Sequence, residues 1–256
     1  MLEVEIYRQM AEKVVGRRIV AVEAPDAWFV KGTEPAEVVA AVTGRRVEAA
    51  RRIGKLLVLD LDDGSRLGLR FGMTGRLLVD DAAAIDRLQY SSEAANAAWD
   101  RFRLVFDDGG DLRIRDPRRL GGVSIEPDEG RLGVDALELT PADLAAALGT
   151  STAPIKVRLL DQARVAGIGN LLADEILYAA AIDPARPSAS LGPDEIERLA
   201  DRIVATVRDM AARGGSHTGD IRAAASTDGL CPLDGAPLVR RRVGGRTTYS
   251  CPVHQT

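Results

Sequence analysis

The hydrophobic pattern of this chain changes near residue 130, and that change limits the folds it can adopt. Before this point, short segments such as residues 101–106 and 112–115 alternate apolar and polar residues, as half-buried strands do. After it, apolar residues recur at helical spacing, as in residues 193–213, which is typical of amphipathic helices. We therefore expect an α+β chain whose strands and helices are segregated along the sequence.

The first part is predicted to be a β-rich domain over residues 1–130, with one leading helix. Residues 2–15 have an amphipathic pattern that ends at Gly16, which is a helix stop signal. Asp-Asp-Gly-Ser at 62–65 and Asp-Asp-Gly-Gly at 107–110 have the composition of hairpin turns. Further strands are predicted at 19–22, 47–53, 56–61, 67–71 and 77–79.

The second part is predicted to be helical over residues 131–225. Helices are expected at 141–148, 153–162, 171–180 and 193–213, with Pro, Gly or Asp-Pro between them. Residues 214–230 are small, polar and Gly-rich, so we expect a loop there. A third segment, 226–256, has the pattern of a small β-hairpin.

Both cysteines of the chain lie in this last segment, and each has another potential metal ligand three positions later. The pairs are Cys231 with Asp234 and Cys251 with His254. Two such pairs around a strand–turn–strand stretch have the spacing of a zinc ribbon or zinc hairpin. Asp234 is the unusual ligand, because closed structural zinc sites favour Cys and His. The alternative is a hairpin that keeps its shape without metal.

Composition excludes several classes of protein. An apolar fraction of 46% excludes global disorder. No apolar run approaches the about 18 residues of a membrane span, and no secretory signal segment is visible, so a cytoplasmic location is expected. A net charge of −4 argues against coating nucleic acid by charge alone, although arginine clusters at 45–52, 113–119 and 240–246 leave room for a local phosphate track.

Four turn-like stretches stand out in the sequence. Lys55 follows Gly54 at the start of a strand, and its plain interpretation is an exposed surface lysine. Met73, displayed by Gly-Met-Thr-Gly at 72–75, either fills a core or wedges between bases. Asp-Pro-Arg-Arg-Leu-Gly at 116–121 is a second turn with paired arginines and an apolar tip. Gly-Ile-Gly-Asn at 167–170 opens a helix, where backbone amides favour phosphate, or it simply packs two helices.

In this order, and ahead of the C-x-x-D and C-x-x-H pairs, these stretches resemble the formamidopyrimidine-DNA glycosylase/endonuclease VIII family over nearly the whole chain. The resemblance implies an N-terminal helix and β-sandwich, a helix–two-turn–helix domain and a zinc-type hairpin. It implies a base-excision repair enzyme that removes oxidised or ring-opened bases from duplex DNA and cuts the abasic strand by β-elimination. It also implies damaged double-stranded DNA as the partner, Zn²⁺ as the cofactor and a monomer.

The resemblance assigns roles to individual residues of the first domain. Lys55 is a candidate catalytic residue, because it matches the strand lysine that contacts the phosphate beside the lesion. Met73 and Arg118 match residues that fill the hole left by the flipped nucleotide. Leu120 stands where the family often has an aromatic wedge.

In the second part, Lys156 and Asn170 match phosphate-binding positions, and Arg246 matches the zinc-finger arginine that reaches the DNA backbone. The four zinc-ligand positions hold Cys231, Asp234, Cys251 and His254, so Asp and His replace two of the usual cysteines.

The chain departs from the family at its first residues. The family uses an N-terminal proline, whose secondary amine attacks the sugar C1′ and forms an imine, and a following glutamate that shuttles protons. This sequence starts Met1-Leu2-Glu3-Val4-Glu5, and it resembles the family's P-E-L-P-E-V-E only from its third or fourth residue. Either Pro-Glu precedes Met1 in the natural chain, or this is a catalytically inactive relative that binds damaged or abasic DNA. In a third alternative, the primary amine of Met1 is a poor nucleophile and Glu3 is the candidate for proton transfer.

The segment 214–230 is shorter than its counterpart in the family. This weakens the case for oxidised guanine as the specific substrate, and the lesion stays open. A third interpretation, without any nucleic-acid role, takes the arginine clusters as solvated faces.

Overall fold

The computed structural model describes residues 1–83, 85, 88 and 96–256. The chain divides into a sheet unit, Glu3–Glu129, and a helical unit made of Met1–Leu2 and Gly130–Thr256. The expected α+β class is confirmed, with the sheets in the first unit and most helices in the second. The further division at residue 225 stays a prediction. In the described part of the chain, no helix is both long and apolar enough to cross a membrane.

The sheet unit contains the predicted strands at almost the predicted positions. Its helices are α1 (Leu2–Ala11) and α2 (Pro35–Val42), and its described strands are β1 (Ile19–Glu23), β2 (Val47–Ile53), β3 (Leu56–Leu61), β4 (Arg66–Arg70), β5 (Arg76–Val79), β6 (Ala82–Ala83), β7 (Asp100–Phe106), β8 (Asp111–Arg115) and β9 (Gly122–Ile125). The predicted helix 2–15 ends early, at Ala11, and continues as a 3-10 turn over Glu12–Val14. Sequence patterning missed α2, β6 and β9.

These strands form two antiparallel sheets. One has the order β1-β7-β8-β5-β6 and the other β2-β3-β4-β9 among the described residues. The Asp-Asp-Gly turns join β3 to β4 and β7 to β8, and Gly64 and Gly109 there take φ of +81° and +87°, a conformation that favours glycine. One apolar core, including Leu57, Phe102 and Phe106, lies between α1, α2 and both sheets, so the β-sandwich is held by hydrophobic burial.

The helical unit carries the predicted helices and the terminal hairpin. Its elements are β10 (Val134–Asp135), α3 (Pro141–Leu148), α4 (Ile155–Leu160), β11 (Val165–Ala166), α5 (Asn170–Ala179), α6 (Pro193–Ala212), α7 (Asp220–Thr227), β12 (Val239–Val243) and β13 (Arg246–Ser250). Helix α3 begins with a capping box between Thr140 and Asp143, which satisfies its first backbone N–H groups. Helix α5 is buried along most of its length, and Met1 and Leu2 pack in the same core.

The predicted loop over 214–230 is wrong, because this segment contains α7 and a 3-10 turn at Ser216–Thr218. Its Ala223–Ala224–Ala225 run consists of alanine, the strongest helix former. The loop prediction rested on the small and polar composition of the segment and did not take this run into account. The helix start is also fixed by a residue distant in sequence. The carboxylate of Glu175, on α5, accepts the backbone N–H groups of Ile221 and Arg222 at 3.1 and 3.0 Å, as an N-terminal cap does.

Candidate nucleic-acid interface and metal centre

Two turns of the sheet unit, residues 72–75 and 116–121, lie in contact and expose apolar tips. We call them the wedge turns. Met73 is 52% exposed and Leu120 is 45% exposed. A Cβ atom added to Gly72 would lie 2.6 Å from the Cβ of Leu120, so only glycine permits this approach. The structure therefore brings the two sequence-predicted wedge positions together, with the exposed side chain of Arg118 on the second turn.

A buried hydrogen-bond network holds the wedge turns in shape. The Thr74 hydroxyl donates to Asp116 Oδ1, and both side chains are fully buried. Asp116 also accepts the backbone N–H groups of Gly121, at 2.8 Å, and of Arg118, at 3.2 Å. Tyr7, on α1, donates its hydroxyl proton to the carbonyl of Gly75 at 3.0 Å. The exposed tips thus stand on a fixed base, because buried polar groups that are fully bonded resist rearrangement.

Thr74→Val is expected to loosen the second wedge turn, because the variant keeps the shape of Thr74 but removes a bond to a buried carboxylate. The cost should be about 1–3 kcal/mol of unfolding free energy. If the turn has the wedge role that the resemblance implies, opening of a lesion, measured with 2-aminopurine beside it, should fall more than affinity for intact duplex. Ser65→Ala is the control, since Ser65 makes a similar bond to Asp63 at an exposed turn. Equal effects of the two variants on lesion opening would contradict the assignment.

Lys55 lies with Gly54 in the two-residue turn between β2 and β3, and its side chain is half-buried. The guanidinium of Arg52 donates to the carbonyl of Gly54 at 2.9 Å and to Glu5 Oε2, also at 2.9 Å. Burial alone would raise the pKa of Glu5, but the guanidinium groups of Arg8 and Arg52 outweigh it and lower that pKa. Glu5 is therefore an ionised anchor between α1 and the turn of Lys55. Glu3 is half-buried on the first turn of α1, and its proton-transfer role stays a prediction.

In the helical unit, Asn170 and Arg246 come together at an exposed edge. Asn170 is the first residue of α5, and its side-chain amide donates to the carbonyl of Thr247 at 3.0 Å. Arg246 directly precedes Thr247 and follows the Gly244–Gly245 turn. Both side chains are exposed. A cationic and an amide side chain beside a helix N-terminus have the chemistry that binds a phosphate oxygen.

The turn that starts α5 is fixed by Gln162, which the sequence patterns did not single out. Its side chain accepts the N–H of Gly167 at 3.0 Å and donates to the carbonyl of Ile168 at 2.9 Å. Gly167 takes φ of +112°. The Gly-Ile-Gly-Asn stretch therefore has one defined geometry that presents the first amides of α5.

Lys156 does not occupy the place predicted for it. Its side chain is fully buried, 2.7 Å from Asp174 Oδ1, and it donates to Thr248 Oγ1 at 2.8 Å and to the Thr247 carbonyl at 3.1 Å. A buried ammonium that bonds these groups cannot contact a phosphate directly, so Lys156 instead anchors the hairpin on α5. Burial lowers the pKa of Lys156 and raises that of Asp174 to about 6, because desolvation outweighs their mutual attraction.

The four predicted metal ligands meet at one point. The donor atoms of Cys231, Asp234, Cys251 and His254 all lie within 4.8 Å of one another. Cys231 Sγ is 3.5 Å from His254 Nδ1, and Asp234 Oδ2 is 3.1 Å from Cys251 Sγ and 3.2 Å from His254 Nδ1. Zinc bonds of about 2.3 Å to sulfur and about 2.0–2.1 Å to nitrogen place these atoms about 3.5 Å apart at two corners of a tetrahedron. The donor set therefore fits a tetrahedral zinc ion.

The surroundings of the four ligands also suit a metal. Both cysteines are buried and free of a disulfide, and the N–H of Val253 points at Cys251 Sγ at 3.4 Å. The pKa of Asp234 is lowered to about 2, chiefly because its carboxylate accepts a hydrogen bond from the backbone N–H of Ala236. This carboxylate is therefore ionised at neutral pH. His254 Nε2 lies 3.4 Å from the carbonyl of Tyr178, which leaves Nδ1 for the ion.

Helix α5 supplies three contacts that the sequence analysis missed. Asp174 pairs with Lys156 and accepts the N–H of Tyr249 at 3.3 Å. Glu175 holds the start of α7, and burial raises its pKa to about 7. The Tyr178 hydroxyl lies 3.4 Å from Cys231 Sγ. The sequence did contain an indication of these contacts, because adjacent Asp and Glu residues in an otherwise apolar helix need buried partners.

Family models match both parts of the chain. Residues 1–123 match the N-terminal domain of formamidopyrimidine-DNA glycosylase, and residues 132–221 match the helix–two-turn–helix domain of the same enzyme. The chain belongs to the formamidopyrimidine-DNA glycosylase family. The resemblance stated from the turn motifs and the terminal hairpin is thereby confirmed.

Relatives in this family match the chain over nearly its whole length. The formamidopyrimidine-DNA glycosylase of Roseiflexus sp. is 34% identical over 94% of this chain and 93% of its own length. That of Chloroflexus aggregans is 34% identical over 99% of this chain and 97% of its own length.

Solved structures agree with the fold. The Lactococcus lactis enzyme in complex with a Fapy-dG-containing DNA superposes with a TM-score of 0.83, at 27% identity and coverage of 99% of this chain and 98% of that one. The same enzyme bound non-covalently to DNA with an abasic site also gives 0.83, at 26% identity and coverage of 100% and 98%.

Proposed function

We propose that this chain is a base-excision repair glycosylase that releases oxidised or ring-opened bases from duplex DNA and cleaves the abasic strand by β-elimination. The pair of wedge turns carries this proposal. Two adjacent exposed apolar side chains on a rigid, buried polar base suit insertion into a base stack, and base-excising enzymes need such a wedge because they must extrude their target. Relatives named formamidopyrimidine-DNA glycosylase, and solved structures of such an enzyme with Fapy-dG-containing and abasic DNA, support it. We further propose that it acts as a monomer.

Within this function the exposed residues divide into two groups. Met73, Arg118 and Leu120 fill the hole left by the extruded nucleotide. Lys55, Asn170 and Arg246 bind phosphates of the damaged strand, which fixes position without reading sequence. Lys156 acts only through the hairpin that it anchors. In a chain that begins at Met1, Glu3 serves as the proton-transfer residue.

We also propose that Cys231, Asp234, Cys251 and His254 hold Zn²⁺. The ion supplies a structural crosslink in this hairpin, which has few buried apolar residues of its own. Cys231 and Asp234 precede the strands, and Cys251 and His254 follow them. Holding both ends together keeps the Gly244–Gly245 turn and Arg246 in place.

Arg246→Ala is expected to weaken binding to intact and damaged duplex alike, because the guanidinium is proposed to contact the DNA backbone. The slope of log affinity against log salt should fall by about 1, as measured by fluorescence anisotropy of a labelled duplex. Arg240→Ala is the control, since Arg240 is also exposed on this hairpin. It lies opposite Tyr249 in the strand register, near the end of the hairpin that is remote from the turn. An unchanged slope for Arg246→Ala, or an equal change for Arg240→Ala, would remove Arg246 from the interface.

The activity is tested with a duplex that contains Fapy-dG. We expect release of the damaged base, followed by a strand break at that position, and neither event on the undamaged duplex. Base release is measured by chromatography and strand breaks by denaturing gel. Tight binding to the damaged duplex without base release would support a non-catalytic damage-binding protein instead.

A further inference from the structure

Trp28 stands out on the surface of the sheet unit because its side chain is 66% exposed. It lies in a 3-10 turn, Ala27–Phe29, and its neighbour Phe29 is fully buried and fills the core. The ammonium of Lys31 lies over the indole ring, 4.6 Å from its centroid, and donates to the Trp28 carbonyl. The result is an exposed aromatic ring with a cation fixed beside it, which we call the Trp28 platform.

The Trp28 platform is built onto the second wedge turn. Asp26 accepts the backbone N–H of Trp28 at 3.1 Å and the guanidinium of Arg119 at 2.6 Å. The N–H of Lys31 donates to the carbonyl of Val123 at 2.8 Å. The segment 26–31 therefore runs beside the chain that leaves the wedge turn.

Glycines at the end of that turn permit a close approach. A Cβ atom on Gly122 would lie 2.7 Å from Lys31 Cε, and one on Gly121 would lie 3.0 Å from Phe29 Cζ. The segment that carries Trp28 is thus in direct contact with the end of the second wedge turn.

The charges of this surface favour a polyanion. The carboxylate of Asp26 is occupied by Arg119 and lies 3.8 Å from Arg101, so its charge is compensated inside the protein. Lys31 and Arg118 add positive charge, and an exposed indole stacks on the face of any base. An aromatic ring combined with a cation is the chemistry that binds a nucleotide through its base or sugar and its phosphate.

We propose that the Trp28 platform binds a nucleotide of the duplex next to the wedge turns, with the indole stacked on the base or sugar and Lys31 paired with the phosphate. This rests on the proposed function and adds a contact to it. Trp28 thereby supports the strand that the wedge distorts, outside the lesion itself.

Intrinsic fluorescence tests the proposal, because the chain has only two tryptophans, Trp28 and Trp99. Trp99→Phe leaves Trp28 as the sole reporter and keeps the backbone bond from Asp116 to residue 99. A fluorescein-labelled duplex with a tetrahydrofuran abasic analogue is added, and its anisotropy reports binding independently. Trp28 emission should be quenched on binding, and its accessibility to acrylamide should fall.

Affinity variants complete the test. Trp28→Ala should weaken binding of the abasic-analogue duplex about five- to tenfold, as expected for loss of one stacking contact, whereas Trp28→Phe keeps a ring and should retain most of the affinity. Val20→Ala is the control, since Val20 is 48% exposed on β1, and it should bind as the wild type does.

Unchanged Trp28 emission and acrylamide access at saturating duplex, with wild-type affinity for Trp28→Ala, would overturn the platform while leaving the proposed function intact. If Trp28 instead bound a protein partner under those conditions, the Trp28 platform would be a protein-binding surface, and the proposal that it binds a nucleotide would also be overturned. Failure of the wild-type chain to bind any duplex would overturn both proposals together.

Discussion

Lys156→Met is expected to lower the free energy of unfolding of the helical unit by about 3–5 kcal/mol, because it leaves the buried carboxylate of Asp174 without its counter-ion. Asp174 is 5% exposed, so water cannot replace the lost ammonium. The side chain of Thr248 loses its bond to Lys156 at the same time. Denaturant unfolding followed by circular dichroism measures the loss.

The pH dependence of this loss has a defined sign. Burial already raises the pKa of Asp174 from 3.8 to about 6 in the presence of Lys156, and removing the ammonium takes away an interaction that lowers it. A raised folded-state pKa means that the folded protein binds the proton more tightly, so the stability falls as pH rises from about 4 through that pKa. The deficit of Lys156→Met should therefore be larger at pH 8 than at pH 5.

The double variant Lys156→Met/Asp174→Leu is the matched control. Replacing both members of a buried pair by apolar residues of similar size is often nearly neutral, so most of the lost stability should return. A single variant as stable as the wild type at pH 8 would contradict the structural role of Lys156. So would a double variant no more stable than the single one.

Removing the metal is expected to have the second large effect. Cys251→Ser, or chelation of the wild type, should release strands β12 and β13 from hydrogen-exchange protection and reduce duplex affinity at least as much as Arg246→Ala does. The reason is that metal-binding free energy, about 10–16 kcal/mol in zinc-finger peptides, is folding free energy in so small a hairpin. The sheet unit should keep its protection.

Asp234→Cys provides the control for this experiment. It changes the same site but gives the three-cysteine, one-histidine set that zinc favours, so zinc content and hairpin protection should be retained. Zinc is measured by plasma mass spectrometry on the purified protein. A wild-type chain without zinc whose hairpin is nevertheless protected would contradict the proposed metal site.

Features governed by local chemistry could be predicted from the sequence. The hairpin turns need a left-handed residue, and glycine at 64 and 109 supplies it. In the helix over Pro193–Ala212, apolar residues recur at helical spacing over a long stretch of sequence. In each pair of metal ligands the second residue follows the cysteine by three positions, so a short turn can place both on one ion. The structure brings the four donor atoms together.

Features that depend on distant partners could not be predicted. The burial of Lys156 is decided by Asp174 on another helix and by strand β13 packed over both. Helix α7 needs the carboxylate of Glu175 at its start. The base of the wedge turns depends on Thr74 and Asp116, which lie on different turns. In each case a buried polar group has a partner far away in the sequence, which neither periodicity nor spacing reveals.

Borohydride can capture the imine between the protein's amine and an abasic sugar, and this capture decides whether the chain performs the chemistry of its family. Two forms are compared on an abasic duplex, one beginning at Met1 and one with Pro-Glu placed ahead of it. We predict a stable protein–DNA adduct with the form that carries Pro-Glu, at higher yield than with the other form. Binding of the duplex by both forms without any adduct would contradict glycosylase–lyase activity and leave a protein that only binds damaged DNA.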